Sequence, residues 1–237
     1  MSNNWFQFKK FKVFQEKAAM KIGIDSVLLG AVASFNKPEF VLDIGSGTGI
    51  LALMAEQRTN AKIFTVEIDI DAFIQCNENI EFNCKKDKIE VIHSSFQNFA
   101  ENTSTIFDHI ICNPPYFNNS YKSQNDSRNL ARQNSYLPFN ELLEGVKKIL
   151  SVNGFFSLIL PADIADEFMQ LSMQYNIFCF KKINIIPRIG KESNRSILEF
   201  SKNKTKVICD EIILRNKNSN EYSNQYKTIT KDFYLGH

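Results

Sequence analysis

The chain has 237 residues, 43% hydrophobic and 23% charged, with a formal net charge of +2. That apolar content can bury enough surface to offset ordering entropy, which excludes a disordered chain and fits one domain. No run of about 18 apolar residues occurs, which excludes a membrane-spanning helix, and Met1 to Lys12 lacks an apolar signal core, so a cytoplasmic location is expected.

From the amino terminus, residues 1–38 read as an extension. Its first fifteen residues, with Trp5, Phe6, Phe8, Phe11 and Phe14, form a strand-like ribbon docked on the body. The apolar run Phe40 to Ile44 predicts a buried strand, Ile50 to Gln57 a helix of good helix formers, and Lys62 to Val66 the next strand. A helix over Asp71 to Phe82, strands at Ile89–Ile92 and Phe107–Ile111, and a helix from Phe139 to Leu150 ended near Gly154 follow. Phe155 to Leu160 is a fifth strand stopped by Pro161, and Ile164 to Tyr175 another helix. The stretches 177–180, 182–186, 196–200 and 206–214 are β-prone and predict antiparallel edge strands. Strands alternating with helices at this spacing predict an α/β fold with a mostly parallel sheet, and no linker divides it: residues 1–237 are expected to be a single domain.

Five cysteines (Cys76, Cys84, Cys112, Cys179 and Cys209), odd in number and without a CxxC pair, read as reduced thiols, mostly packing residues. His93, His109 and His237 show no ligand spacing, so no metal site is expected. Charge is uneven: +4 over residues 1–22, −8 over 23–180 and +6 over 181–237. Basic ends around an acidic centre are compatible with a polyanion gripped at the periphery.

The first chemical feature is Asp43-Ile-Gly-Ser-Gly-Thr-Gly49, between the first strand of the body and its helix. Gly45, Gly47 and Gly49 permit positive φ and close backbone approach to a ligand over the strand ends. Ile50 stands where a GxGxxG dinucleotide fingerprint requires glycine, which disfavours a pyrophosphate cradle. An acid just before the loop suits a cationic amino-acid group. Glu67 closes the second strand about twenty residues on, where a carboxylate can accept both hydroxyls of a ribose; Asp69 and Asp71 are expected to cap the next helix. This succession resembles the class I fold of S-adenosylmethionine-dependent methyltransferases.

The most specific signal is Asn113-Pro-Pro-Tyr116, at the carboxyl end of the Phe107–Ile111 strand. Two prolines lock the backbone and leave outward-facing carbonyls. The Asn113 side-chain oxygen and the Pro114 carbonyl can then accept the two hydrogens of a planar amine, which frees its lone pair, while Tyr116 can stack on the attached ring. The combination looks like the amino-methyltransferases of adenine N6, cytosine N4 or glutamine N5.

Both ends extend the likeness. Phe14-Gln-Glu-Lys-Ala-Ala-Met-Lys-Ile-Gly-Ile-Asp25 with Ser26 to Ala31, Arg128-Asn-Leu-Ala-Arg132, Gly154-Phe-Phe, Leu160-Pro161 and Arg195-Ser-Ile-Leu-Glu-Phe200 are similar to the valine tRNA adenine-37 N6-methyltransferase family. The resemblance covers nearly the whole chain. It implies a Rossmann-like domain with a central, mostly parallel seven-stranded sheet, helices on both faces and antiparallel carboxyl-terminal edge strands. It also implies S-adenosylmethionine as cofactor and tRNA as partner, with the chain acting as a monomer. Asp43, Gly45, Gly47 and Gly49 would line the methionine part, Glu67 the ribose, with Asn113 also against the cofactor. Lys21 and Asp25 would close over it, Asp25 being otherwise a helix cap. The family usually has an Asp after the third strand; here Ser95 takes that place, without charge. Ile24 replaces a common threonine, and nothing in the sequence explains that change.

RNA contact is expected from Phe117, Tyr121, Lys122, Arg128 and Arg132 near the catalytic turn. Phosphate tracking is expected from Lys9, Lys10 and Lys12 and from Lys181, Lys182, Arg188, Lys191 and Arg195. Three alternatives stay open. A glutamine N5 enzyme usually carries a separate helical amino-terminal domain, whereas about 38 residues precede the first strand here. A DNA adenine enzyme often carries a target-recognition domain. A silent RNA-binding protein would keep the scaffold without needing the intact loop, acid and turn.

Overall fold

A computed structural model of the protein describes residues 3–114 and 137–236. The amino-terminal ribbon is an antiparallel hairpin of β1 (Trp5–Gln7) and β2 (Lys12–Phe14). Then come α1 (Ile24–Val32), β3 (Phe40–Ile44), α2 (Ile50–Arg58), β4 (Lys62–Glu67), α3 (Ile70–Phe82), β5 (Ile89–His93), α4 (Phe96–Asn102) and β6 (Phe107–Cys112). The second described segment holds α5 (Phe139–Ile149), β7 (Leu150–Pro161), α6 (Ala162–Gln174), β8 (Phe178–Ile186), β9 (Arg195–Ser201), β10 (Ile208–Ile213) and α7 (Asn224–Thr230).

The strands from β3 onward form one sheet in the order β10-β8-β9-β7-β6-β3-β4-β5. It is the expected mixed, mostly parallel sheet, one strand wider than seven. Only β9 runs against its neighbours, and it lies inside the sheet between β7 and β8, while the edge strand β10 is parallel to β8. The expectation of antiparallel strands at the edge is corrected here. The short return over 187–194 turns the chain straight back along β8, as an antiparallel pair allows. With the inner side of β8 so occupied, β10 takes its outer side. The stretches 177–180 and 182–186 are one strand; the pairing register slips between Cys179 and Lys181, which breaks the alternation there. Gly154 lies within β7 and does not end a helix. A Cβ there would come 3.0 Å from the Phe107 carbonyl, so close strand approach requires the glycine.

Both faces are covered, as long hydrophobic strands demand. One core packs α4, α5 and α6 on the sheet through Phe96, Leu142, Phe168, Phe107 and Phe200. On the other face α2 and α3 share a core with Phe8, Phe11 and Val13 of the hairpin, and α1 and α7 pack Leu28, Leu29 and Tyr226 against β7 to β10. From β3 the chain steps outward to β4 and β5, then returns to the other side of β3 as β6. That reversal opens a crevice at the carboxyl ends of β3, β4 and β6, where α/β sheets bind ligands.

Candidate active site

A cavity of about 470 Å³ lies in that crevice, within the size range of small-molecule sites. Ile44 at the end of β3 with Gly45 and Gly47 after it, Val66 to Asp69 at the end of β4, Ala72 of α3, Ser94 to Gln97 after β5, and Cys112 at the end of β6 with Asn113 and Pro114 after it line it. Ala18, Ala19 and Met20 of the amino-terminal arm and Leu137 and Glu141 complete the wall.

The loop between β3 and α2 needs its glycines. Gly45, Gly47 and Gly49 have φ of +78°, +51° and +79°, a region costly for side-chain-bearing residues. A Cβ on Gly49 would also meet Cys76 Sγ at 2.8 Å, so Gly49 is tied to α3 and does not reach the cavity. At Gly45 and Gly47 a Cβ would meet nothing within 4 Å, and both face the cavity. The backbone there is bare, and a ligand can lie directly on it.

Glu67 lines the same cavity while accepting three backbone N–H bonds: from Gly47 at 2.8 Å on Oε2, and from Ile68 and Asp69 at 2.9 Å each on Oε1. It holds the glycine loop against the end of β4. Burial raises its pKa, and the three N–H donors pull the other way. A carboxylate accepts roughly four hydrogen bonds, so Glu67 keeps capacity for a ligand hydroxyl. Asp43, expected at the ligand, is instead fully buried within β3 and does not line the cavity. Neither of its oxygens makes a hydrogen bond of ordinary geometry, with the Ala52 amide and Thr65 hydroxyl nearby. Burial, then the charge of Glu67, holds its carboxyl well above the usual range.

Ser95 does two things: it lines the cavity, and its hydroxyl caps α4 by accepting the Asn98 N–H at 3.2 Å. Asp69 caps α3 through the Ala72 N–H at 2.8 Å, as expected, and also reaches the wall. Asn113 and Pro114 follow β6 beside the glycine loop, Cys112 being paired with Ile44, and Asn113 Nδ2 donates to Ser26 Oγ at 2.8 Å. Tyr116, Phe117, Tyr121, Lys122, Arg128 and Arg132 lie outside the described residues.

Lys21 and Asp25 are not on the wall. Asp25 pairs with Arg195 at 3.1 Å in the first turn of α1, and the cap of that helix is Gly23, so Asp25 is not the cap either. The arm reaches the cavity one to three residues before Lys21, through small and apolar side chains. Its path is set by side chains that substitute for a strand: Asn79 accepts the Phe14 N–H and donates to the Phe14 and Thr48 carbonyls, and Gln75 accepts the Lys17 N–H. Gln15 closes the bend on the Ile22 N–H. Gln97 and Glu141, joined at 2.6 Å on the rim, were not expected; isolated polar residues in polar stretches give no signal.

Several basic residues expected on phosphates work inside the fold. Lys182 pairs with Asp166, Lys181 lies 3.7 Å from Glu199, and Arg188 donates to the Asn216 and Ser219 carbonyls. All five cysteines are free; Cys76, Cys112 and Cys179 are buried, which raises their thiols, that of Cys179 to about 11. Among the described residues no cluster of three metal-ligating side chains occurs, and no helix is long and apolar enough to cross a membrane.

Residues 17–137 match the methyltransferase small domain family. The tRNA1(Val) (adenine(37)-N6)-methyltransferase of Bacteroides thetaiotaomicron is 38% identical over 237 residues, 99% of each chain. That of Flavobacterium johnsoniae is 39% identical over 97% of this chain and 99% of its own, and that of Haemophilus influenzae 38% over 97% and 98%. In structure, a predicted O-methyltransferase from Agrobacterium tumefaciens superposes with a TM-score of 0.70 at 17% identity, over 88% of this chain and 96% of that one, which shows a shared fold. The open glycine loop, the acid ending β4 and the Asn-Pro corner are thus features of a chain that belongs to the tRNA1(Val) (adenine(37)-N6)-methyltransferase family.

Proposed function

We propose that this protein transfers the methyl group of S-adenosylmethionine to N6 of adenine 37 in tRNA1(Val). The observation that carries this reading is one cavity lined by a bare glycine cradle, by Glu67 and by Asn113 with Pro114. The fit is chemical as well as spatial: the space over Gly45 and Gly47 accepts an amino-acid group, and Glu67 can accept ribose hydroxyls. Ser95 and Ile68 suit the adenine of the cofactor, and Asp43 and Gly49 support the loop from behind. Asp25 serves by anchoring α1 through Arg195. Bound there, S-adenosylmethionine supplies an electrophilic methyl on a sulfonium.

The chain's own contribution is positioning. Asn113 Oδ1 and the Pro114 carbonyl accept the two N6 hydrogens and bend them out of the ring plane, so the lone pair points along the line of transfer. Tyr116 stacks on the everted base. The neutral amine needs no general base, since its proton leaves after the new N–C bond has formed. The same reading takes residues 1–237 as one monomeric, cytoplasmic domain with 1–38 docked on it, supported by Phe8, Phe11 and Val13 in a core shared with α2 and α3. The basic and aromatic residues from Phe117 to Arg132 contact the RNA.

Incubation of the purified protein with methyl-labelled cofactor and a tRNA1(Val) transcript should yield N6-methyladenosine, and a transcript with guanosine at position 37 should yield none. Equal labelling of both transcripts would refute the site assignment. Asn113→Ala should lower turnover by at least about a hundredfold, the scale of losing one preorganised polar partner of a transition state. Calorimetry should show its cofactor affinity nearly unchanged.

A further inference from the structure

The polar contact immediately behind the cavity joins the first turn of α1 to the corner after β6. Asn113 Nδ2 donates to Ser26 Oγ at 2.8 Å, and Ser26 itself is off the cavity wall. Ser26 is held firmly. Its neighbour Asp25 pairs with Arg195 at the start of β9, and Val27, Leu28 and Leu29 are fully buried. The α1 backbone therefore cannot shift to follow Asn113; the amide must orient to it.

A primary amide has a donating end and an accepting end in one plane. The bond to Ser26 fixes the plane of the amide, and with Nδ2 on Ser26 the oxygen lies on the other side. We propose that Ser26 is a positioning residue that anchors the Asn113 amide in the plane in which its oxygen meets the substrate amine. This rests on the methyl-transfer reading above. An exocyclic amine offers hydrogens, so an amide turned over would set donors against donors, with none of the lone-pair alignment. Without the hydroxyl the amide loses this anchor and turns out of the productive plane, and turnover falls while the cofactor cradle, built from β3 and β4, is untouched.

The test compares Ser26→Ala, Ser26→Val and Ser26→Thr, the last two being nearly equal in shape. Ala and Val should lower kcat about tenfold, the scale of one hydrogen bond of ordinary strength. KM for tRNA and calorimetric affinity for S-adenosylmethionine should stay within about twofold of the parent protein. Thr should restore kcat to within about threefold. Unchanged kcat in Ala and Val, or a loss in Thr equal to that in Val, would overturn the inference. Asn113→Ala assayed alongside separates the two levels. If it stays active, the role of Asn113 itself is wrong; if it is inactive while Ala and Val at position 26 are normal, only the role of Ser26 is.

Discussion

Glu67 serves two masters with one carboxylate, organising the glycine loop through three N–H bonds while facing the cavity. Asp43, one strand away, has the opposite character: a buried acid without an ordinary hydrogen bond. Burial and the Glu67 charge raise its folded pKa above the ordinary value of 3.8. The folded chain thus binds that proton more tightly than the unfolded chain. The resulting stability is complete below the unfolded value and is lost as pH rises through the raised folded one. Asp43→Asn mimics the protonated acid, so its Tm should exceed the parent's by several degrees at pH 8, with the gap closing towards pH 4. A gap that does not change with pH would contradict the assignment. At this scale, residues at strand ends were legible. Gly45, Gly47, Glu67 and Asn113 follow a run of buried strand residues, and strand order brings such ends together. Ala18, Ala19 and Met20 were not, because their place depends on Asn79, Gln75 and Gln15 elsewhere in the chain.

Among the elements, α3 holds more than its own turn of the fold. Asn79 is fully buried and bridges Phe14 of the arm to Thr48 of the glycine loop. Asn79→Ala strands three backbone groups, at a cost of about 3 kcal/mol of stability, and loosens two cavity walls at once. Urea unfolding should report the first effect and weakened cofactor binding the second; a stable variant with normal affinity would show that the arm is held otherwise. The body strands were readable because fully buried strands form unbroken apolar runs. The helix α4 was not, since Gln97, Asn98 and Asn102 dilute a pattern in which only Phe96 and Ala100 are buried. The short α7 buries only Tyr226 and Thr230 and failed for the same reason. The single strand β8 looked like two because its register slips beside Lys181 and Lys182.

For the whole molecule, the reversal of strand order about β3 decides where chemistry can occur, and pattern alone could place it once the strands were known. The width of the sheet and the inner place of β9 were beyond pattern, because local alternation does not say which neighbour a strand chooses. Charge was a weaker guide: of the basic residues near the carboxyl end, Lys182 and Arg195 neutralise acids of the fold itself. The proposed function requires that one cavity hold the donor with its reactive end towards Asn113. A crystal structure with S-adenosylhomocysteine tests this directly. The ligand's amino-acid end should lie over Gly45 and Gly47, its ribose on Glu67, and its sulfur facing the Asn113–Pro114 corner across a gap wide enough for a methyl group and an amine. A ligand bound elsewhere, or a sulfur turned away from Asn113, would contradict it.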